Sequence, residues 1–157
     1  MRNLTKSILG AGTCMAIVAT AVFADSHVSP TKAIVDARHA QMQLISYHTG
    51  ILGAIAKGEM EYDSAIVDAA ASNIREMAKL QRATIWVEGT EQGVAADSRA
   101  KAEVWSDPDG FSQKFTDLEN ASSAMVGAAD MAAVGAGMAG IGGACKACHD
   151  DYRGPKN

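Results

Sequence analysis

The 157-residue chain has only three cysteines, three prolines and almost no alternation of polar and apolar residues. Three cysteines cannot build the disulfide framework of a small secreted scaffold. Without alternation, a chain of half-buried strands is excluded. No internal repeat or low-complexity linker is present. The prolines, Pro30, Pro108 and Pro155, stand at the edges of apolar-periodic segments and never inside one. A cationic excess is also missing: 14 Lys and Arg face 18 Asp and Glu. That balance argues against a nucleic-acid surface and permits a basic protein partner met through electrostatic steering. The length predicts a single domain.

The first residues read as a secretory signal. Arg2 and Lys6 are followed by an uncharged run from Ile8 to Phe23, and Val22-Phe23-Ala24 offers a cleavage site before Asp25. The run is about 16 residues, short of the roughly 18 to 20 that span a bilayer. Residues 1–24 are therefore expected to be cleaved, Cys14 with them, leaving residues 25–157 as the mature domain. Losing Arg2 and Lys6 leaves 12 basic residues against 18 acidic ones, a formal charge of −6. The expected compartment is the periplasm.

Both remaining cysteines lie in Cys145-Lys146-Ala147-Cys148-His149. This CxxCH spacing is that of covalent haem attachment. Two thiols on one helical edge can add to the two vinyl groups of a porphyrin, which carries His149 under the macrocycle as iron ligand. A redox dithiol would follow a strand in a βαβ unit, and none precedes it. A tetrahedral zinc site needs four Cys or His ligands, and there is no second CxxC or HxxxH.

Apolar periodicity predicts four helices. Helix A covers 31–56, capped at Ser29-Pro30, with Ile34, Arg38, Met42, Ile45, Leu52 and Ile55 on one stripe. Helix B starts at Asp63 or Ser64 and runs to about Arg82, with Ala65 and Leu80 included in its apolar face. A long connection from Thr84 to Asp107 carries a helical turn around Ser98 to Val104 and is anchored by Trp86 and Trp105. Helix C starts at Asp107-Pro108 and breaks near Ala128 to Asp130. Helix D runs from Met131 to Tyr152 although it contains Gly135, Gly137, Gly140, Gly142 and Gly143. Each of these costs a helix about 1 kcal/mol relative to alanine, so the spacing predicts close approach of a neighbour or cofactor to that backbone. Its GxGxxG match lacks a preceding strand and is rejected as a dinucleotide site. The fold class is all-α, an antiparallel four-helix bundle with one covalently bound haem.

Gly143 through Arg153, together with Arg38-His39-Ala40-Gln41-Met42, Ala56 through Asp63, and Lys101 through Trp105, resembles the cytochrome c′ family of four-helix-bundle c-type cytochromes. The likeness runs from about Thr31 to Arg153. It implies haem c on Cys145 and Cys148, His149 as proximal iron ligand, and Arg38 near a haem propionate. It also implies homodimers through the first two helices. An arginine on an apolar stripe needs an anion in any case. An acidic residue of a neighbouring helix is the alternative partner. Asp150 or Asp151 is a candidate acceptor for the second ring N–H of His149, although a solvated pair is the favoured reading. Arg153 is a candidate shield of the proximal side.

Met42 is the family's distal position. As a sixth ligand it would make a low-spin electron carrier, because His/Met ligation raises the reduction potential. As a packing residue it would leave a five-coordinate iron open to nitric oxide or carbon monoxide. The low-spin branch is expected. Met77, Met125 and Met138 are the fallback ligands, and His39 and His48 are expected off the Arg38–Met42 face. No nucleophile–base pair, carboxylate dyad or distal histidine is evident, so the chain is not expected to be an enzyme. Expected partners are periplasmic redox proteins.

Overall fold

The computed structural model describes residues 29–156. The expected signal segment, with Cys14, lies outside them. The described residues form α1 (Pro30–Ala56), α2 (Ser64–Ala78), the short α3 (Glu103–Ser106), α4 (Pro108–Met125) and α5 (Met131–Tyr152). No sheet forms among them, only two isolated bridges, Gln92 with Ala95 and Ala100 with Arg153.

Each long helix starts where a side chain takes up orphan backbone N–H groups. Ser29 Oγ accepts from Lys32 N at 3.1 Å, and Asp63 Oδ1 accepts from Ala65 N at 2.8 Å. Asp107 Oδ1 accepts from Gly110 N at 3.1 Å, and Asp130 Oδ1 accepts from Ala133 N at 2.8 Å. Gly58, at φ 73°, lets the chain leave α1 in a conformation that side chains disfavour.

The helices pack in the ring α1–α2–α4–α5. Hydrogen bonds fix their directions. At one end Gln41 donates to Met77 O (2.8 Å), Arg82 to Ser112 Oγ (2.7 Å) and Tyr152 to Asp107 (2.6 Å). At the other, Tyr62 donates to Ala128 O and Gly127 N to Asp68, each at 2.7 Å. The result is an up-down-up-down bundle. Leu52, Ile55, Val67, Ile74, Val134 and Ile141 are fully buried in its centre, each contributing about 1.5–3 kcal/mol.

Four local expectations need correction. In α1 the buried stripe is Val35, Arg38, Gln41, Ile45, Leu52 and Ile55; Ile34 is only half-buried. Arg38, Ile45, Leu52 and Ile55 are buried as expected, while Val35 and Gln41 are buried in place of Ile34 and Met42. Helix α2 stops at Ala78, not Arg82, because Gln81 is extended and turns the chain so that Arg82 reaches Ser112 on α4. Leu80 is consequently exposed, and Ala65, in the first turn of α2, is exposed as well. The helical turn in the long connection lies later, at Glu103–Ser106. Both tryptophans do anchor that connection: Trp105 Nε1 donates to Trp86 O at 3.0 Å, and the Trp86 ring meets Phe111 edge-on at 4.8 Å.

The fourth correction concerns α5. Close approach explains Gly137, where a Cβ would lie 2.7 Å from Met125 Cε; at Gly140 a Cβ would make ordinary contact, 3.5 Å from Ala121 Cβ. Gly135, Gly142 and Gly143 face open space. Gly135→Ala should therefore stabilise the protein by about 1 kcal/mol through helix propensity alone. Gly137→Ala should gain less, because the buried end of Met125 must move. Paired guanidinium unfolding curves check this, and equal gains would contradict the packing of Met125 on α5.

Candidate functional site

A cavity of about 740 Å3 opens between α1, α4, α5 and the long connection. Cys145, Cys148 and His149 line it from α5, and Arg38 and Met42 line it from α1. These are the five residues singled out by the sequence, and the fold brings them to one space. Phe111, Phe115 and Leu118 of α4 form its apolar wall.

The two thiols are free and half-buried. Burial pushes Cys148 up to about 11, against the opposing pull of Lys114, and raises Cys145 as well. A redox-active dithiol needs a lowered thiol pKa, so the environment argues against that alternative. Among the described residues no group of three or more His, Cys, Asp or Glu could hold a metal ion by itself, which removes the zinc reading. His149 is held below its ordinary value by burial, then by Arg153 and Arg99, with Asp150 opposing. The lowered value keeps the imidazole neutral, the form that ligates a metal.

Arg38 provides the fit test for a carboxylate-bearing cofactor. It is 4% exposed, and burial lowers its pKa. Its Nη2 donates to Thr90 O at 2.9 Å, and Ser98 Oγ donates to the same carbonyl at 2.6 Å. The guanidinium carbon lies 5.1 Å from the Trp86 ring centroid. Its Nη1 is buried without a partner, and none of its contacts is a carboxylate. The acidic neighbour considered as an alternative is not there. A buried cation without an anion is strongly disfavoured, and a haem propionate would supply the missing charge. Cysteine spacing, a neutral histidine and an unpaired arginine in one cavity fit haem c.

The remaining expectations divide. Of the fallback methionines only Met138 lines the cavity. It precedes His149 on the same helix by eleven residues, about 16 Å along the axis, too far for both to ligate one iron. Met125 is buried against Gly137, and the Met77 carbonyl accepts from Gln41. His39, expected off this face, lines the cavity. His48 is off it, as expected. Asp150 and Asp151 pair with Lys146 (2.5 Å) and Lys114 (2.9 Å), not with His149. Arg153 does border the cavity. Lys114, Arg99, Thr90 and Ser98 were not anticipated. Lys114 alone carried a signal, sitting one turn past Phe111 on the predicted helix C.

A family model described as Cytochrome C′ matches residues 33–153. The chain belongs to the cytochrome c′ family. It therefore carries covalently bound haem c with its iron, and cytochrome c′ is itself a standard example of the four-helix bundle. A curated relative, cytochrome c-554 of Cereibacter sphaeroides, is 37% identical over 122 residues, spanning 76% of this chain and 92% of the relative. The structure of cytochrome c′ from Rhodobacter Spheriodes superposes with a TM-score of 0.75 at 34% identity, covering 80% of this chain and 98% of that one. A single-residue variant of cytochrome c′ from Alcaligenes xylosoxidans, solved as its nitric oxide complex, gives a TM-score of 0.67 at 30% identity, covering 80% and 97%.

Besides the Lys114–Asp151 ion pair, a hydroxyl–carboxylate bond ties the C-terminal end of α5 to α4. Tyr152, three residues past His149, donates its hydroxyl to Asp107 Oδ2 at 2.6 Å. A Cβ on Gly110 would overlap both oxygens, so glycine is required there. The hydroxyl and the Gly110 N–H hold the Asp107 carboxyl below its ordinary range, and the same bond pushes Tyr152 up to about 12. The carboxylate–phenol pair therefore contributes stability above the unfolded carboxyl value of ~4 and below the unfolded phenol value of ~10. That contribution is lost as pH falls through the depressed Asp107 value, or rises through about 12. Tyr152→Phe should be less stable than the parent at pH 7. Urea unfolding at acid pH should show the gap closing.

Proposed function

We propose that this cytochrome c′ family member is a single-electron carrier of the periplasm, with its iron ligated by His149 and Met42. The observation that supports the reading is Met42 itself. It lines the same cavity as His149, from the facing helix, one turn beyond Arg38. Haem iron supplies one-electron chemistry, and a thioether opposite an imidazole favours its reduced state.

The chain's own residues supply the rest. Cys145 and Cys148 would fix the cofactor to α5. Arg38, oriented by Thr90 O, would neutralise a propionate. Phe111, Phe115 and Leu118 exclude water from the enclosed side, which strengthens every charge interaction within it. No enzymatic role is proposed. His39, the nearest acid–base group, is an exposed residue of the cavity rim. On α1 and α2, Leu44 (47%), Tyr47 (64%) and Ile66 (42%) are exposed apolar residues suited to a homodimer contact. One structurally similar cytochrome c′ undergoes ligand-controlled dimer dissociation.

The second reading is a five-coordinate gas-binding protein. It is favoured by the nitric oxide complex of the Alcaligenes xylosoxidans relative. The absorption spectrum of the reduced protein, with and without carbon monoxide, separates the two. Sharp low-spin bands that ignore the gas support the carrier; a high-spin spectrum that shifts on addition supports gas binding. Met42→Ala should convert the reduced protein from low-spin to high-spin, open it to carbon monoxide and lower its reduction potential. An unchanged spectrum would sink Met42 as a ligand.

A further inference from the structure

The distribution of charge around the cavity opposes the charge of the chain. At the His149 end, Arg99, Lys114 and Arg153 line it, and no carboxylate does. At the far end Lys57 and Glu59 offset one another. Lys114 is paired with Asp151 and Lys146 with Asp150. Arg99, Lys101 and Arg153 have no ion-pair partner among the described residues.

Backbone pairing holds these three cations together. Ala100 pairs with Arg153 in an antiparallel bridge, Lys101 N donates to Tyr152 O at 3.0 Å, and Gly154 N donates to Arg99 O at 2.7 Å. Their side chains reach carbonyls rather than carboxylates. Arg99 Nη2 donates to Gly154 O at 2.7 Å, and Lys101 Nζ donates to Asp150 O and Asp151 O at 2.9 and 3.0 Å. The C-terminus of α5 offers only about half a negative charge there, against three full positive ones. A Cβ at Gly154 would overlap the end of the Gln92 side chain.

We infer that the Arg99–Lys101–Arg153 face beside the cavity mouth docks a partner protein that presents a cluster of carboxylates. A net charge of −4 for the whole chain would repel such a partner at long range. The local field decides the encounter once the surfaces are within about a Debye length, ~10 Å at 0.1 M salt. The reversed face also orients the approach, bringing the partner to the cavity and turning it away from the acidic remainder.

Docking here presupposes the electron-carrier reading, and kinetics with small oxidants test it separately. Hexacyanoferrate(III), an anion, takes one electron from the reduced holoprotein and becomes hexacyanoferrate(II). Tris(phenanthroline)cobalt(III), a cation, takes one electron and becomes cobalt(II). The anion should slow roughly tenfold between ~10 mM and ~0.2 M salt, within the range of electrostatic steering, and the cation should not. Poly-L-glutamate should inhibit oxidation by the anion at low salt. Lys101→Glu should flatten the salt slope far more than Lys57→Glu, which changes the net charge equally. A rate that rises with salt for the anion would overturn the inference, as would equal effects of the two variants. Correct slopes without inhibition by poly-L-glutamate would restrict the face to small anions and overturn protein docking. Carbon monoxide binding would overturn the carrier reading while leaving the salt slopes interpretable, so the two failures are distinguishable.

Discussion

One buried positive charge constrains much of this structure. Arg38 sits on the inward stripe of α1, 4% exposed, where a guanidinium is unfavourable without an anion. The bundle does not supply one. It supplies the Thr90 carbonyl, which also accepts from Ser98, and the face of Trp86. These groups hold the connection between α2 and α3 against α1, with Gly89 and Gly93 at positive φ allowing its turns. Trp86 then meets Phe111, and Phe111 meets Tyr152 at 5.1 Å. A chain of contacts thus runs from the arginine to the end of the haem-bearing helix. A cofactor carboxylate at Arg38 would act on the same residues that order the connection.

The C-terminal helix shows how a sequence that disfavours helix can still form one. Its glycines forfeit several kcal/mol of propensity in sum. Of these, only Gly137 sits where a neighbour comes too close for a Cβ. The helix persists because Asp130 caps its start, Val134 and Ile141 are fully buried, and Tyr152 is bonded to α4. Tertiary packing commonly outweighs intrinsic propensity in this way.

Charge behaves similarly. Summed over the chain it is negative, and the sum suggested a basic partner. Resolved in space, the cations collect at the mouth of the cavity, where the chain end crosses the long connection. A monopole describes long-range solubility and steering, but docking responds to the field within a Debye length, and that field has the opposite sign.

Local chemistry was legible in the residues themselves. CxxCH encodes attachment and ligation because three-residue spacing on a helix puts two thiols and an imidazole together wherever the helix lies. Apolar period and caps marked α1, α2 and α4, because Ser29, Asp63 and Asp107 satisfy their first turns without outside help; the cap that Asp130 provides for α5 was not singled out. What the tertiary structure alone decided was which surfaces meet. Packing buried Val35 and Gln41 on α1 in place of Ile34 and Met42, and brought His39 to the cavity. The turn at Gln81 ended α2 early. The pairing of Arg99–Lys101 with Tyr152–Gly154 gathered cations about fifty residues apart. Each depends on long-range packing and backbone hydrogen bonds between segments distant in the chain, for which no local pattern of residues carries a signal.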